Sequence, residues 1–146
     1  MTYFFDTSAL FKKYRTEAGS SVVSSLIDDA RNECWISELA RIEFFSTLFR
    51  LRRNLEISDD ELEQQSKRFD ANLPRYQVAL LSPDVLAEAE RLLRTEGRRY
   101  ALRTLDSLHL ATFRVFCDPT WTFVSTDDQL LAVAEALGPP VLNPLR

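Results

Sequence analysis

Five short apolar runs, separated by segments with helical patterning, constrain this chain more than any other feature. The runs are TYFF (2–5), ECWIS (33–37), QVALLS (77–82), WTFVS (121–125) and PVLN (140–143). Between the first two stand TSALFKKY, which reads as a short helix, and SSVVSSLIDDAR (20–31), which reads as an amphipathic one. ELARIEFFSTLFRLRRN (38–54) and a segment running from Ser58 to about Ala71 follow the second run. A helix opened by Ser82-Pro83 and stopped by Gly97 precedes TLDSLHLATFRVF (104–116), and DDQLLAVAEAL (127–137) ends at Gly138. Strands alternating with helices predict an α/β fold with a parallel sheet covered on both faces and right-handed crossovers. No repeat, linker or low-complexity tract divides residues 1–146, so one domain is expected.

Local signals support these boundaries. On the 38–54 helix, Leu39, Ile42, Phe45 and Phe49 share one side and Phe44, Leu48, Leu51 and Leu55 the next. Ser58 and Glu61 fit a capping box, and Pro83 fits the first helical position. Only three glycines occur, which disfavours a turn-rich all-β fold, and 45% hydrophobic residues suffice for a core. The two cysteines, Cys34 and Cys117, make no metal spacing and read as small core residues with free thiols. The N-terminus carries no basic leader and no apolar segment approaches the roughly 20 residues that cross a bilayer, so a soluble cytoplasmic protein without membrane contact is expected. A net charge of −4 provides no global attraction to a polyanion, so contact with nucleic acid would rest on local basic patches or metal ions.

Ligands of parallel sheets bind beyond the carboxyl ends of the strands. Asp6 leaves the end of the first strand, and Asp127 follows the fourth. Crossover helices begin at the same edge. Asp106 lies in the first turn of the 104–116 helix, and Glu43 stands roughly 7–9 Å along the helix that follows ECWIS. Ordinary structural roles exist for most of them. Asp6 can end a strand and cap a helix. Asp106 can favour its helix dipole with Thr104 as cap, and Asp127 and Asp128 can do the same with a Thr126–Gln129 box. Glu38 suits a dipole role at its own helix start. Glu43 is harder to explain in that way, because its neighbours are Ile42, Phe44 and Phe45 and no basic residue stands four positions away.

Taken together, the four acids call for a cation. Two like charges 4 Å apart repel by about 4 kcal/mol at an effective dielectric near 20. Oxygen-only ligands suit Mg²⁺ or Mn²⁺ better than zinc, and the single histidine, His109, reads as a packed residue. A metal at such an edge can activate water and neutralise a phosphodiester.

The segments FFDTSALFKKY, SELARIEFFSTLFR, LRTLDSLHLAT and FVSTDDQLLAVAEALG, followed by VLNP, resemble PIN-domain proteins, specifically VapC-type toxin ribonucleases, over essentially the whole chain. The resemblance implies a three-layer sandwich with a five-stranded parallel sheet and a protruding helical hairpin. It also implies a Mg²⁺- or Mn²⁺-dependent endoribonuclease in which a metal-activated water cuts RNA with in-line departure of the 3′-oxygen. Asp6, Glu43 and Asp106 would bind the metal, Asp127 would complete the acidic pocket, and Ser8 would orient ligands or substrate. Asp128 stands outside that set. The helices 38–55 and 59–71 would form a homodimer and hold a VapB-type antitoxin, with Phe44, Phe45, Leu48 and Phe69 as an apolar surface surplus or, equally, as plain core.

Arginines gather in RLRR (50–53) and GRRYALR (97–103). Arg98, Arg99 and Arg103 are candidates for RNA phosphates, with Tyr100 stacking on a base; solvated surface charge is the ordinary alternative. An aspartyl-nucleophile phosphatase would want an acid where Ser8 stands, and a receiver domain would want paired acids after its first strand. A catalytically silent PIN-fold protein that binds RNA or a partner is the rival from a different class.

Overall fold

In the computed structural model, which describes residues 1–146, Thr2–Phe5 forms β1 at the centre of a sheet ordered β3-β2-β1-β4-β5. The other strands are β2 (Glu33–Ser37), β3 (Tyr76–Ala79), β4 (Thr122–Val124) and β5 (Val141–Leu142), and all four pairings are parallel. The helices are α1 (Thr7–Phe11), α2 (Ser20–Asp28), α3 (Glu38–Arg53), α4 (Asp59–Asn72), α5 (Pro83–Glu96), α6 (Thr104–Phe116) and α7 (Asp128–Ala136), with a 3₁₀ turn at Leu73–Arg75. No helix is long and apolar enough to cross a membrane.

Strand periodicity splits the core in two. Tyr3 and Phe5 of β1, with Ile36 and Val124, face a cluster that contains Leu10, Val23, Phe44, Leu48 and Phe69 from α1 to α4. Phe4 and Phe123 face the opposite cluster, where Val85, Leu92, Leu110, Phe113 and Leu130 come from α5, α6 and α7. The result is the expected three-layer α/β sandwich. Phe4, Phe113 and Phe123 meet at ring centroids 5.5–5.7 Å apart, which locks α6 against the two central strands.

Several boundaries differ from the sequence expectation for identifiable reasons. β3 stops at Ala79 rather than Ser82 because its partner β2 stops at Ser37, the residue opposite Ala79. Ser37 turns there to cap α3, its hydroxyl accepting from the Leu39 amide at 3.2 Å. Beyond Ala79, the Leu81 amide donates to the Glu38 carboxylate and Ser82 caps α5, so neither is available to a strand. α2 ends at Asp28 because the carboxylate of Asp29 instead accepts from the Arg31 amide and guanidinium. Ser58 does cap α4, accepting from the Glu61 amide at 3.1 Å.

The hairpin of α3 and α4 corrects one expectation. Phe44, Leu48 and Phe69 are not an exposed surplus; each is at most 1% exposed. Phe44 stacks on Phe69 with centroids 4.1 Å apart, and Tyr14 meets both edge-on. Burying three large rings against one another is worth more than exposing them, so the plain core role prevails. Ile42 and Phe49 point outward instead, at 67% and 49% exposure, with Phe45 half-buried between them. The turn after α3 closes without glycine: Leu55 adopts φ 58°, the Glu56 amide reaches the Leu51 carbonyl and the Leu55 amide reaches that of Arg52.

Across the other layer, Glu88 of α5 receives Arg91 from its own helix and the Arg114 Nε of α6 at 2.6 Å. The hydrogen bonds from Arg91 and then Arg114 hold its carboxyl at about 2, below its ordinary 4.5. A depressed carboxyl contributes stability above its unfolded value and loses it as pH falls. Glu88→Gln should therefore destabilise the protein by about 1 kcal/mol at neutral pH. In urea melts the difference should shrink as pH falls from 4.5 and vanish near 2.

Candidate active site

The chain turns from β1 to one side and from β4 to the other, so the carboxyl ends of these neighbouring strands flank the crevice where ligands of such sheets bind. Asp6 stands at the tip of β1. Its amide continues the ladder to the Val124 carbonyl, and its Oδ1 caps α1 by accepting from the Ala9 amide at 2.8 Å. The structural role and the site role fall on one residue. Ser8 donates to Asp6 at 2.8 Å, and Ser125, at the tip of β4, donates to Oδ2 at 2.6 Å. Asp6 is only 5% exposed. Burial pushes its carboxyl above the usual range, and the nearby His109 and these hydrogen bonds offset that only in part.

Glu43 has the partners that its local sequence lacked. Thr7 donates to its Oε1 at 2.9 Å, and His109 Nε2 contacts the same oxygen and lies 3.1 Å from the Thr7 hydroxyl. His109 is therefore more than the packed residue expected; it is buried, with its Nδ1 unpartnered, and its other nitrogen holds a site acid. Burial raises the Glu43 carboxyl, but the His109 and Thr7 contacts prevail and leave it lowered. The signal was present: His109 lies three residues after Asp106, on the same helical face.

Asp106 and Asp127 share a cation. Arg103, the N-cap residue of α6, places Nε 2.9 Å from Asp106 Oδ2 and Nη2 3.4 Å from Asp127 Oδ2. The cap of α6 is thus Arg103, not Thr104, and Asp106 reaches back to the Arg103 amide at 3.3 Å. Asp127 itself caps α7, its Oδ1 accepting from Gln129 and Leu130, which displaces the Thr126–Gln129 box. Its amide donates to the Ser125 hydroxyl at 3.0 Å, and the Thr126 amide donates to Ser8. Hydrogen bonds therefore tie Asp6 to Asp127 through Ser125, and Glu43 to the segment of Asp6 through Thr7. Thr7 and Ser125 receive no site role from the sequence because hydroxyls beside strand ends are common and only the fold joins them to these acids.

Arg98 and Arg99 hold none of the acids. Arg98 is exposed, and Arg99 lies over the Tyr100 ring at 5.5 Å, while Tyr100 packs half-buried on the α5–α7 core instead of standing free to stack. Asp128 is tied to Asn143 and Arg146 rather than to the other acids' partners. An open cleft of about 680 Å³ at this edge is lined by Ser8, Ala101, Arg103, Thr126, Asp127, Asp128 and Gln129. No three His, Cys, Asp or Glu side chains converge closely enough to hold a metal ion as the chain stands. The direct partners of buried Asp6 are nevertheless all uncharged, which is the situation a bound cation relieves. Asp6→Asn removes that buried charge and keeps the shape. In EDTA the variant should melt a few degrees above the parent at neutral pH. The gap should close on acidification, because the raised native carboxyl is protonated before the unfolded one, at 3.8, and parent stability falls as pH rises through that window.

Comparison with known proteins identifies the family and the fold. The PIN domain family model matches residues 3–136. Ribonuclease VapC49 of Mycobacterium tuberculosis is 30% identical over 135 residues, covering 92% of this chain and 90% of the relative. Ribonuclease VapC35 of the same species is 29% identical and covers 97% and 96%. Among solved structures, FitAcB from Neisseria gonorrhoeae superposes with a TM-score of 0.73 at 16% identity, covering 97% of both chains. VapBC2 from Rickettsia felis, bound to a DNA fragment from its promoter, gives 0.68 at 14% identity and covers 98% of both. With the acids of β1, α3, α6 and β4 gathered at the carboxyl edge of a five-stranded parallel sheet, the chain belongs to the PIN-domain family and to its VapC group.

Proposed function

We propose that this protein is the toxin of a VapBC-type pair, an endoribonuclease that depends on Mg²⁺ or Mn²⁺. The observation that carries the proposal is the linked set of Asp6, Glu43, Asp106 and Asp127 at the crevice between β1 and β4, in a chain about 30% identical to named ribonucleases. The donor set fits a hard cation: four carboxylates from four elements, no thiolate, and one buried carboxylate without a charged direct partner. When bound, such a metal acidifies water and offsets the charge of a phosphodiester in its transition state.

The chain's own residues prepare that chemistry. Ala9, Ser8 and Ser125 fix both oxygens of Asp6 with neutral donors, leaving its charge for a ligand. Thr7 and His109 orient Glu43 through Oε1, so Oε2 remains available. Asp127 keeps Oδ1 on the α7 amides and presents Oδ2 to the cleft. Arg98 and Arg99, on the exposed segment before α6, would contact RNA phosphates away from the acids. A catalytically silent binding protein has one observation in its favour, the Arg103 bridge across Asp106 and Asp127. It predicts no metal-stimulated cleavage. Wild-type protein should cut RNA with Mg²⁺ or Mn²⁺ and stop in EDTA, and Asp6→Asn should lose about 10²-fold or more of the rate. Equal rates for parent and variant would refute the nuclease assignment.

The antitoxin and homodimer partners are proposals too. Solved structures of the same fold include VapBC and FitAB complexes, which supports a VapB-type partner. Phe44, Leu48 and Phe69 are interior, and the outward face of α4 is polar, so a homodimer through this hairpin rests on α3. Ile42, Phe45 and Phe49 form one stripe there, at i, i+3 and i+7. Phe49→Asp should convert a dimer to a folded monomer in light scattering; an unchanged dimer mass would exclude this face.

A further inference from the structure

We propose that Arg103 is an internal counter-ion of the metal-free site, displaced from Asp106 and Asp127 when the metal enters and then free to bind an RNA phosphate. This rests on the divalent-metal reading above and adds to it a competition built into the chain. Both acids that Arg103 bridges are candidate metal ligands. Its guanidinium therefore stands on oxygens of both carboxylates that a cation would use, and its charge repels a second cation there.

The placement of the side chain suits exchange. The backbone of Arg103 is anchored as the N-cap of α6, with its amide held by Asp106. The side chain is 75% exposed, whereas those of Asp106 and Asp127 are 16% and 33% exposed. The acids are the enclosed partners and the cation the exposed one. Exposed ion pairs are each worth only about 0.2–1 kcal/mol, so a divalent ion can displace this one. Arg103 also lines the open cleft beside Ser8, Thr126 and Gln129, so a released guanidinium remains at its mouth. A planar fork suited to carboxylates suits phosphate oxygens equally well. Of the three arginines in 97–103, only Arg103 reaches the acids. It is a positioning residue in the metal-free protein and a substrate contact in the loaded one.

Calorimetric titration of Mn²⁺ into the full chain without RNA tests the first half, comparing the parent with Arg103→Gln and Arg103→Lys. The Gln variant should bind Mn²⁺ about 3- to 10-fold more tightly. The Lys variant should fall between, because an ammonium cannot bridge both carboxylates as a fork does, and it serves alone if the Gln variant does not fold. The second half is read by anisotropy of a fluorescein-labelled oligouridylate with cleavage-resistant phosphorothioate linkages, bound to the Mn²⁺-loaded parent. Adding Arg103→Gln should weaken binding and lower the salt slope by about one ion. Equal or weaker Mn²⁺ binding by a folded Gln or Lys variant overturns the inference and leaves the nuclease assignment standing. Absence of Mn²⁺ binding in the parent and in both variants overturns the metal reading itself and this inference with it.

Discussion

The buried carboxylate of Asp6 is the constraint on which the rest of this site depends. It ends the central strand, caps the first helix and accepts a hydrogen bond from the tip of the neighbouring strand. Moving it would break the junction of β1, α1 and β4 together. Its charge is also the least compensated of the four acids, because every direct partner is neutral. A fold that holds a carboxylate in this state retains a destabilising element, and ligand binding is the ordinary reason for one.

Around Asp6 the other acids are managed by different means. Glu43 is balanced by a histidine and a threonine from two distant segments, and Asp106 and Asp127 by one exposed arginine. The site is therefore tense at its centre and neutralised at its rim. That division follows from exposure. A charge at the rim can borrow a flexible side chain at little cost, whereas a charge at a strand end in the interior can only be met by what the backbone brings there.

Much of this was legible beforehand. β1, β2 and α6 begin and end where their residue patterns place them, because each is bounded by a strong local signal: a carboxylate cap, a serine cap, or an apolar face opened by Thr104 and Asp106. The apolar pattern runs past the end of β3 because strand length is a property of the partner, and β2 has already turned into α3 at Ser37. The same limit governs Phe44 and Phe69. Their sequence permits either an interface or a core, and the choice depends on Tyr14 and Phe11, which come from another segment.

By itself the amino-acid sequence determined the parallel α/β architecture and the placement of Asp6, Glu43, Asp106 and Asp127 toward one edge of the sheet. Alternating strands and helices make the sheet parallel and put the strand ends and helix starts on one edge, and the patterns that mark each element are local. Only the tertiary structure decided what each acid touches. His109 on Glu43, Ser125 on Asp6 and Arg103 across Asp106 and Asp127 include contacts between residues 24 to 119 positions apart. Such contacts depend on rotamers and on angstrom-scale packing of elements that share no local pattern.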